Sequence, residues 1–227
     1  MINWGKNNII TFNMENYPLG IAQDLLATGA FKISLDPLYT WTSGIKSPVY
    51  CDLRALISDV KARRLIVEAF QAMYPSVKEA DVIAGTATAG IPWAAWLAEA
   101  LGKPMVYIRS AAKEHGTKKR IEGDLKPGSK VVLVEDHIST GGSSISAVEA
   151  LRTEGQASVD SIVAINTYEL QKAADQFTAS NVTVFTLTNF TVILSAAKAQ
   201  GLIDDAKEAL LLDFRTDPAS WAGKHGL

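Results

Sequence analysis

Lys130–Ser144 reads KVVLVEDHISTGGSS, and this stretch decides the fold. Val131, Val132, Leu133 and Val134 form an apolar, largely β-branched run after the turn pair Pro127-Gly128. A run of this kind, without polar alternation, predicts a strand buried on both faces in a parallel sheet. Glu135 and Asp136 stand at its carboxyl end, and Ser139-Thr140-Gly141-Gly142-Ser143 follow as hydroxyl and glycine residues without bulk. From Ser144 the spacing turns helical, with Ile145, Val148 and Leu151 on one face and Gly155 as a stop. Open α/β sheets bind ligands outside the carboxyl ends of their strands. A glycine- and hydroxyl-rich loop that opens a helix presents backbone N–H groups to an anion. The stretch therefore predicts a phosphate cradle with two carboxylates beside it. Those acids would repel a phosphate unless they face another part of the ligand, and ribose hydroxyls or a magnesium ion suit them.

The rest of the chain extends this pattern. Leu19 to Thr28 reads as a helix ending at Gly29, and Phe31 to Asp52 as short strands and turns broken by Pro37, Gly44 and Pro48. Asp59 to Tyr74 is an amphipathic helix with Leu65, Ile66, Ala69, Phe70 and Met73 on one face. Strands are then expected at Val82–Ala84, Met105–Ile108, Ile162–Ile165 and Val182–Leu187. Helices are expected at Ile91–Leu101, Leu170–Ala179, Phe190–Gln200 and Asp204–Leu212. Strands alternating with helices predict an α/β fold with a parallel sheet flanked by helices. Residues 1–227 read as a single domain, with N-terminal hood elements at about 17–52 and an α/β core at about 53–227. The first 16 residues show no clear period.

Composition limits the function. A net charge of −2 implies no nucleic-acid partner, and the single cysteine, Cys51, excludes an intrachain disulfide and a multi-cysteine zinc site. With His115, His137 and His225 the only histidines, a histidine-rich metal site is not expected. No apolar run approaches a membrane span and the N-terminus lacks a signal peptide's apolar core, so a cytoplasmic protein without a membrane partner is expected. Gly123 to Lys130, GDLKPGSK, imitates a P-loop, but the strand follows it instead of preceding it.

Three further stretches carry chemistry. Gly85 to Pro92, GTATAGIP, is a second small-residue loop between strand and helix. Arg109 to Arg120, RSAAKEHGTKKR, has no apolar face; Arg109 can fork onto phosphate oxygens, Lys113 offers a point charge and His115 can donate a proton or hydrogen bond. Thr42 to Tyr50, TSGIKSPVY, is a turn-rich segment of the hood. With the Lys130–Ser144 stretch, these resemble the type I phosphoribosyltransferases, and the SGIKSP and RxxxKxHG segments resemble the orotate phosphoribosyltransferases among them.

The resemblance implies transfer of the phosphoribosyl group of phosphoribosyl pyrophosphate (PRPP) to orotate, giving orotidine 5′-monophosphate and pyrophosphate in pyrimidine (UMP) synthesis. By residue, it implies that Thr88 and Ala89 lie on the pyrophosphate, with Arg109, Lys113 and His115 from a mobile catalytic loop. Glu135 and Asp136 would face the ribose, and His137, Ile138, Ser139, Thr140, Gly141, Gly142 and Ser143 would complete the PRPP site. Lys113, His115 and Asp136 are the implied catalytic residues, and Ser139, Lys46 and Tyr50 the implied orotate contacts. Magnesium would arrive with PRPP, without a direct protein site. A homodimer sharing its catalytic loop between subunits is implied as well. The chain departs from the family at Thr42, Ala89 and Ser110, where some members have lysine. It also departs at Asn166-Thr167-Tyr168-Glu169, where some members place an arginine on orotate. The alternatives are a purine-base phosphoribosyltransferase and a non-catalytic PRPP-binding regulator.

Overall fold

The computed structural model describes residues 16–41, 43–111 and 119–227. The chain opens with α1 (Tyr17–Ala27) and four short strands, β1 (Phe31–Ile33), β2 (Tyr39–Thr40), β3 (Lys46–Ser47) and β4 (Val49–Cys51). β1 pairs antiparallel with β4, and β2 with β3, so this segment forms two small hairpin-like ribbons. A 3-10 turn (Leu53–Ser58) leads into α2 (Val60–Met73) and the short α3 (Pro75–Glu79). Asp59 starts α2 where the chain predicts it, its carboxylate accepting from the N–H groups of Lys61 (2.8 Å) and Ala62 (3.0 Å).

The main alternation is β5 (Val82–Thr86), α4 (Gly90–Leu101), β6 (Met105–Ile108), β7 (Ile121–Glu122), β8 (Lys130–Ile138), α5 (Gly142–Thr153), β9 (Ser158–Thr167), α6 (Gln171–Ala179) and β10 (Thr183–Thr186). Three helices close the chain: α7 (Phe190–Ala199), α8 (Asp205–Thr216) and α9 (Trp221–His225). The sheet order is β10-β9-β8-β5-β6-β7, parallel throughout except for β7, which runs antiparallel to β6. Chain order reverses direction between β5 and β8. That is the topological switch point, where the crevice of an open α/β sheet lies.

β8 is the central strand because its side chains feed two cores. Val132 and Val134 pack with Phe70, Trp93, Leu97 and Ile193, while Val131 and Leu133 pack with Val148, Leu151 and Phe177. Helices therefore cover both faces of the sheet, as the unbroken apolar run predicts. Among the described residues no helix is long and apolar enough to cross a membrane.

Several boundaries differ from expectation. β8 runs on through Glu135, Asp136 and His137 to Ile138, pairing as far as Ile138 with Thr167 of β9. Polar side chains do not stop a strand whose backbone still has a ladder partner. β9 is likewise longer than the apolar run Ile162–Ile165, with a bulge where Val131 pairs Val159 but Val132 pairs Ser161. α5 begins at Gly142, two residues before the first helical spacing. The polar stretch after β6 ends in β7, where Ile121 packs against the core.

Candidate functional site

Two loops meet at the switch point. After β5 the backbone turns through Ala87, Thr88 and Ala89, with a cis bond between Ala87 and Thr88. Ala87 N–H donates to Ile108 O (2.8 Å) and Ile91 N–H to Thr88 O (3.3 Å), which ties the loop to β6 and to the start of α4. Thr88 is exposed and Ala89 half-buried. Gly90 has no room for a side chain: a Cβ there would lie 2.6 Å from Val134 O and 3.5 Å from Glu135 Cα. α4 thus starts in contact with β8 itself.

The second loop, Ser139 to Gly142, follows β8. Gly141 takes the left-handed conformation (φ 84°) that caps α5, and no side chain caps the helix. The N–H groups of the first turn, from Gly142 onward, therefore have no intrahelical partner, and the positive end of the helix dipole lies with them. Gly142 and Ser143 are exposed, and a Cβ on Gly142 would meet nothing within 4 Å. A Cβ on Gly141 would lie 2.8 Å from the Phe177 ring. The crowding at Gly141 comes from the α6 side, away from the open space over Gly142.

The two acids at the end of β8 have separate surroundings. Glu135 is buried at 4% exposure, and its Oε2 accepts from the Ser144 hydroxyl (3.0 Å) and, at 3.5 Å, from that of Ser143. Burial first, and then the neighbouring Asp136 charge, push the Glu135 carboxyl well above the usual range. Asp136 is half-buried. Burial raises its carboxyl too, while the His137 backbone N–H and the Arg54 charge oppose the rise. Burial thus pushes both carboxyls of the pair upward.

His137 turns away from the crevice. Its Nδ1 lies 3.3 Å from Asn166 Nδ2, its ring stands edge-on to Tyr168 with centroids 4.2 Å apart, and Nε2 is buried without a partner. Burial drives its pKa down to about 3, so the imidazole is neutral. Ile138 has a buried side chain (2%) in the core against α5 and α6, which leaves only its backbone to face a ligand. Ser139 and Thr140 are half-buried on the loop.

The hood is fastened over this edge of the sheet. Trp41 stacks on Tyr168 (centroids 5.1 Å, 13°), and Asn166 Nδ2 reaches Cys51 Sγ at 3.7 Å. Burial raises the Cys51 thiol to about 12. Tyr50 is half-buried with its ring 5.6 Å from that of Tyr39. Lys46 is exposed on β3, its Nζ donating to Thr40 Oγ1 (2.8 Å).

On the opposite side, β6 and β7 form the stem of the polar segment. Arg120 clamps the stem: its Nε donates to Arg109 O (2.9 Å) and its Nη1 to the carbonyl (3.0 Å) and hydroxyl (2.9 Å) of Ser146 on α5. Arg109 Nη1 lies 3.6 Å from Glu122 Oε1. Lys113 and His115 lie outside the described residues, as does Thr42.

Sequence reading missed two residues at this edge. Asn166, fully buried on β9, links Cys51 to His137. Arg54, past β4, carries a charge felt by both Tyr50 and Asp136. Asn166 has no local sequence signal, because Cys51 and Asn166 are 115 positions apart.

Residues 57–195 match the family model described as the phosphoribosyl transferase domain. The chain is 46% identical over 202 residues to an orotate phosphoribosyltransferase of Enterococcus faecalis, covering 88% of this chain and 96% of that one. It is 43% identical over 220 residues to an orotate phosphoribosyltransferase of Fusobacterium nucleatum, covering 94% and 99%. Among solved structures, the orotate phosphoribosyltransferase of Aeropyrum pernix superposes with a TM-score of 0.70 at 28% identity, covering 81% of this chain and 99% of that one.

Proposed function

The chain belongs to the phosphoribosyl transferase family, in its orotate phosphoribosyltransferase branch, and from that membership we propose how its residues divide the reaction. The protein is an enzyme that transfers the phosphoribosyl group of PRPP to orotate, giving orotidine 5′-monophosphate and pyrophosphate. The observation that carries the assignment of parts is the meeting of two small-residue loops and Asp136 at the switch point.

The 5′-phosphate lies over the first turn of α5, held by backbone N–H groups from Thr140 to Ser143 and by their hydroxyls. Asp136 orients the ribose and favours the positive charge that develops on it as the glycosidic bond breaks. Glu135, bonded to Ser144, acts behind it and fixes the end of β8 against α5. The pyrophosphate leaves toward the loop at Thr88 and Ala89, where Arg109, Lys113 and His115 stabilise its charge. Glu122 holds Arg109 at the stem, and the arginine exchanges that contact for phosphate oxygens. Orotate lies under the hood against Tyr50 and Ser139.

Magnesium fits as a passenger of PRPP. Glu135 is committed to Ser144. Asp136 together with substrate oxygens suits a cation that keeps most of its own waters. When bound, it neutralises charge on the leaving pyrophosphate.

We also propose a homodimer in which the segment after Arg109 serves the partner's site. Mixing Lys113→Ala with Asp136→Asn subunits tests it: one site of each heterodimer then carries both changes and the other neither. Activity returns on mixing if the loop is shared, and stays absent after demonstrated subunit exchange if it is not. The base is tested by PRPP-dependent loss of orotate absorbance, run beside adenine, guanine and hypoxanthine. Conversion of orotate alone is the expected result. Conversion of a purine, or PRPP binding without turnover, would move the protein to one of the alternatives.

A further inference from the structure

Orotate differs from uracil by a carboxylate, and an anion held beneath a hood needs a donor with matching geometry. Lys46, which the sequence suggests for this part of the pocket, is already bonded to Thr40. The stretch after β9 offers Asn166, Thr167 and Tyr168, none of them cationic.

Arg54 fits the need. It follows β4 by three residues, in the first turn of the 3-10 segment. Asp52 holds it in place: Nε donates to Asp52 Oδ1 (2.7 Å), Nη2 to Oδ2 (2.9 Å), and the Arg54 backbone N–H to Oδ1 (3.2 Å). A guanidinium held along its Nε–Nη2 edge still presents the Nη1–Nη2 edge, whose two N–H bonds match a second carboxylate. The Arg54 side chain is 62% exposed, so this edge is open to a ligand.

Contacts to β9 bring the segment that carries Arg54 to this edge of the sheet. Asp136 precedes His137, which pairs with Asn166 across β8 and β9 and is bonded to its side chain at 3.3 Å. Asn166 reaches Cys51 Sγ (3.7 Å), and Cys51 is followed by Asp52 and the arginine that Asp52 holds. Tyr50 and Asp136 both lie within electrostatic reach of the Arg54 guanidinium. The phosphate groups of PRPP have their donors elsewhere, in the α5 N-terminus and on the β5–β6 side.

We propose that Arg54, pre-set by Asp52, binds the carboxylate of orotate and makes the enzyme select orotate over bases without that group. The inference rests on the orotate reading above.

The test compares Arg54→Gln and Arg54→Lys with the unaltered enzyme, measuring KM for orotate, KM for PRPP and competitive inhibition by uracil. Arg54→Gln raises the orotate KM by roughly 10- to 100-fold, the range for losing a charged hydrogen-bonded contact. The PRPP KM and the uracil inhibition constant stay within about twofold, a difference too small to reflect a lost contact. Arg54→Lys, which keeps the charge and loses the fork, recovers part of the orotate affinity. Thermal unfolding of each variant separates substrate effects from a loosened hood. An unchanged orotate KM overturns the proposal. So does an equal weakening of orotate and uracil, or of orotate and PRPP, since either marks a structural role. If the unaltered enzyme converts no orotate, the functional reading fails first; if it does and Arg54→Gln matches it, only this inference fails.

Discussion

A Cβ on Gly90, in the loop after β5, would lie 2.6 Å from a backbone oxygen of β8; one on Gly142, in the loop after β8, would meet nothing within 4 Å. The loops look alike in sequence, GTATAGIP and STGGSS. In the first, smallness brings α4 against β8. In the second, Gly141 supplies a left-handed turn and Gly142 leaves open space above the uncapped start of α5. A glycine-rich loop therefore does not by itself mark room for a ligand. Each glycine has to be asked what a side chain would strike.

This contrast can be broken residue by residue. Gly141→Val should have the largest effect on the fold. Its Cβ would lie 2.8 Å from the Phe177 ring, on a backbone at φ 84°. Overpacking and a β-branched residue at positive φ together cost about 2–5 kcal/mol. Urea unfolding should show that loss, and the same change made in a Phe177→Ala background should cost less, leaving only the backbone part. Equal stability of Gly141→Val and the unaltered protein would mean that the turn is not built this way.

Gly142→Ala should do the reverse. Its stability should stay within about 0.5 kcal/mol, as for a surface change. Its PRPP affinity, read by calorimetry, should fall roughly tenfold as the methyl intrudes on the space over the first turn. Unchanged affinity would remove the phosphate from that turn.

The smallest effect concerns Glu135, and its sign follows from linkage. Burial raises the Glu135 carboxyl above its unfolded value, so the native state prefers the protonated form. The stability that this preference contributes is complete at low pH and is lost as pH rises through the native value. Glu135→Gln keeps an acceptor for Ser144 and never ionises. Its melting temperature should match the unaltered protein's below the ordinary carboxylate range and exceed it progressively as pH rises. A variant that is less stable at all pH values would indicate that Ser144 needs the charge.

Much of this architecture is legible in the chain because it rests on local signals. The apolar run Val131–Val134 specifies a strand buried on both faces, and Asp59 announces α2 with its own side chain. Boundaries set by tertiary pairing are not legible. Nothing in Glu135-Asp136-His137 says that the ladder to β9 continues beneath them, so the acids read as the carboxyl end of a strand that in fact runs on to Ile138. The same limit hides the different fates of the two acids, since the Ser144 hydroxyl that holds Glu135 lies on the next helix. It also hides Arg54, whose segment is brought to the edge of the site by contacts across the chain such as Cys51 with Asn166 and Trp41 with Tyr168. His137 reads as part of the PRPP loop, yet its ring faces Asn166 and Tyr168.

The central claim is that Asp136 works on the substrate while its neighbour Glu135 serves the fold. The most direct measurement is PRPP-dependent loss of orotate absorbance for Asp136→Asn beside Glu135→Gln, with melting temperatures recorded for both. Asp136→Asn should melt close to the unaltered enzyme and lose roughly 10²-fold in turnover, the scale for removing one group aimed at transition-state charge. Glu135→Gln should lose much less. Unimpaired turnover in Asp136→Asn, or the larger loss in Glu135→Gln, would contradict this division of roles.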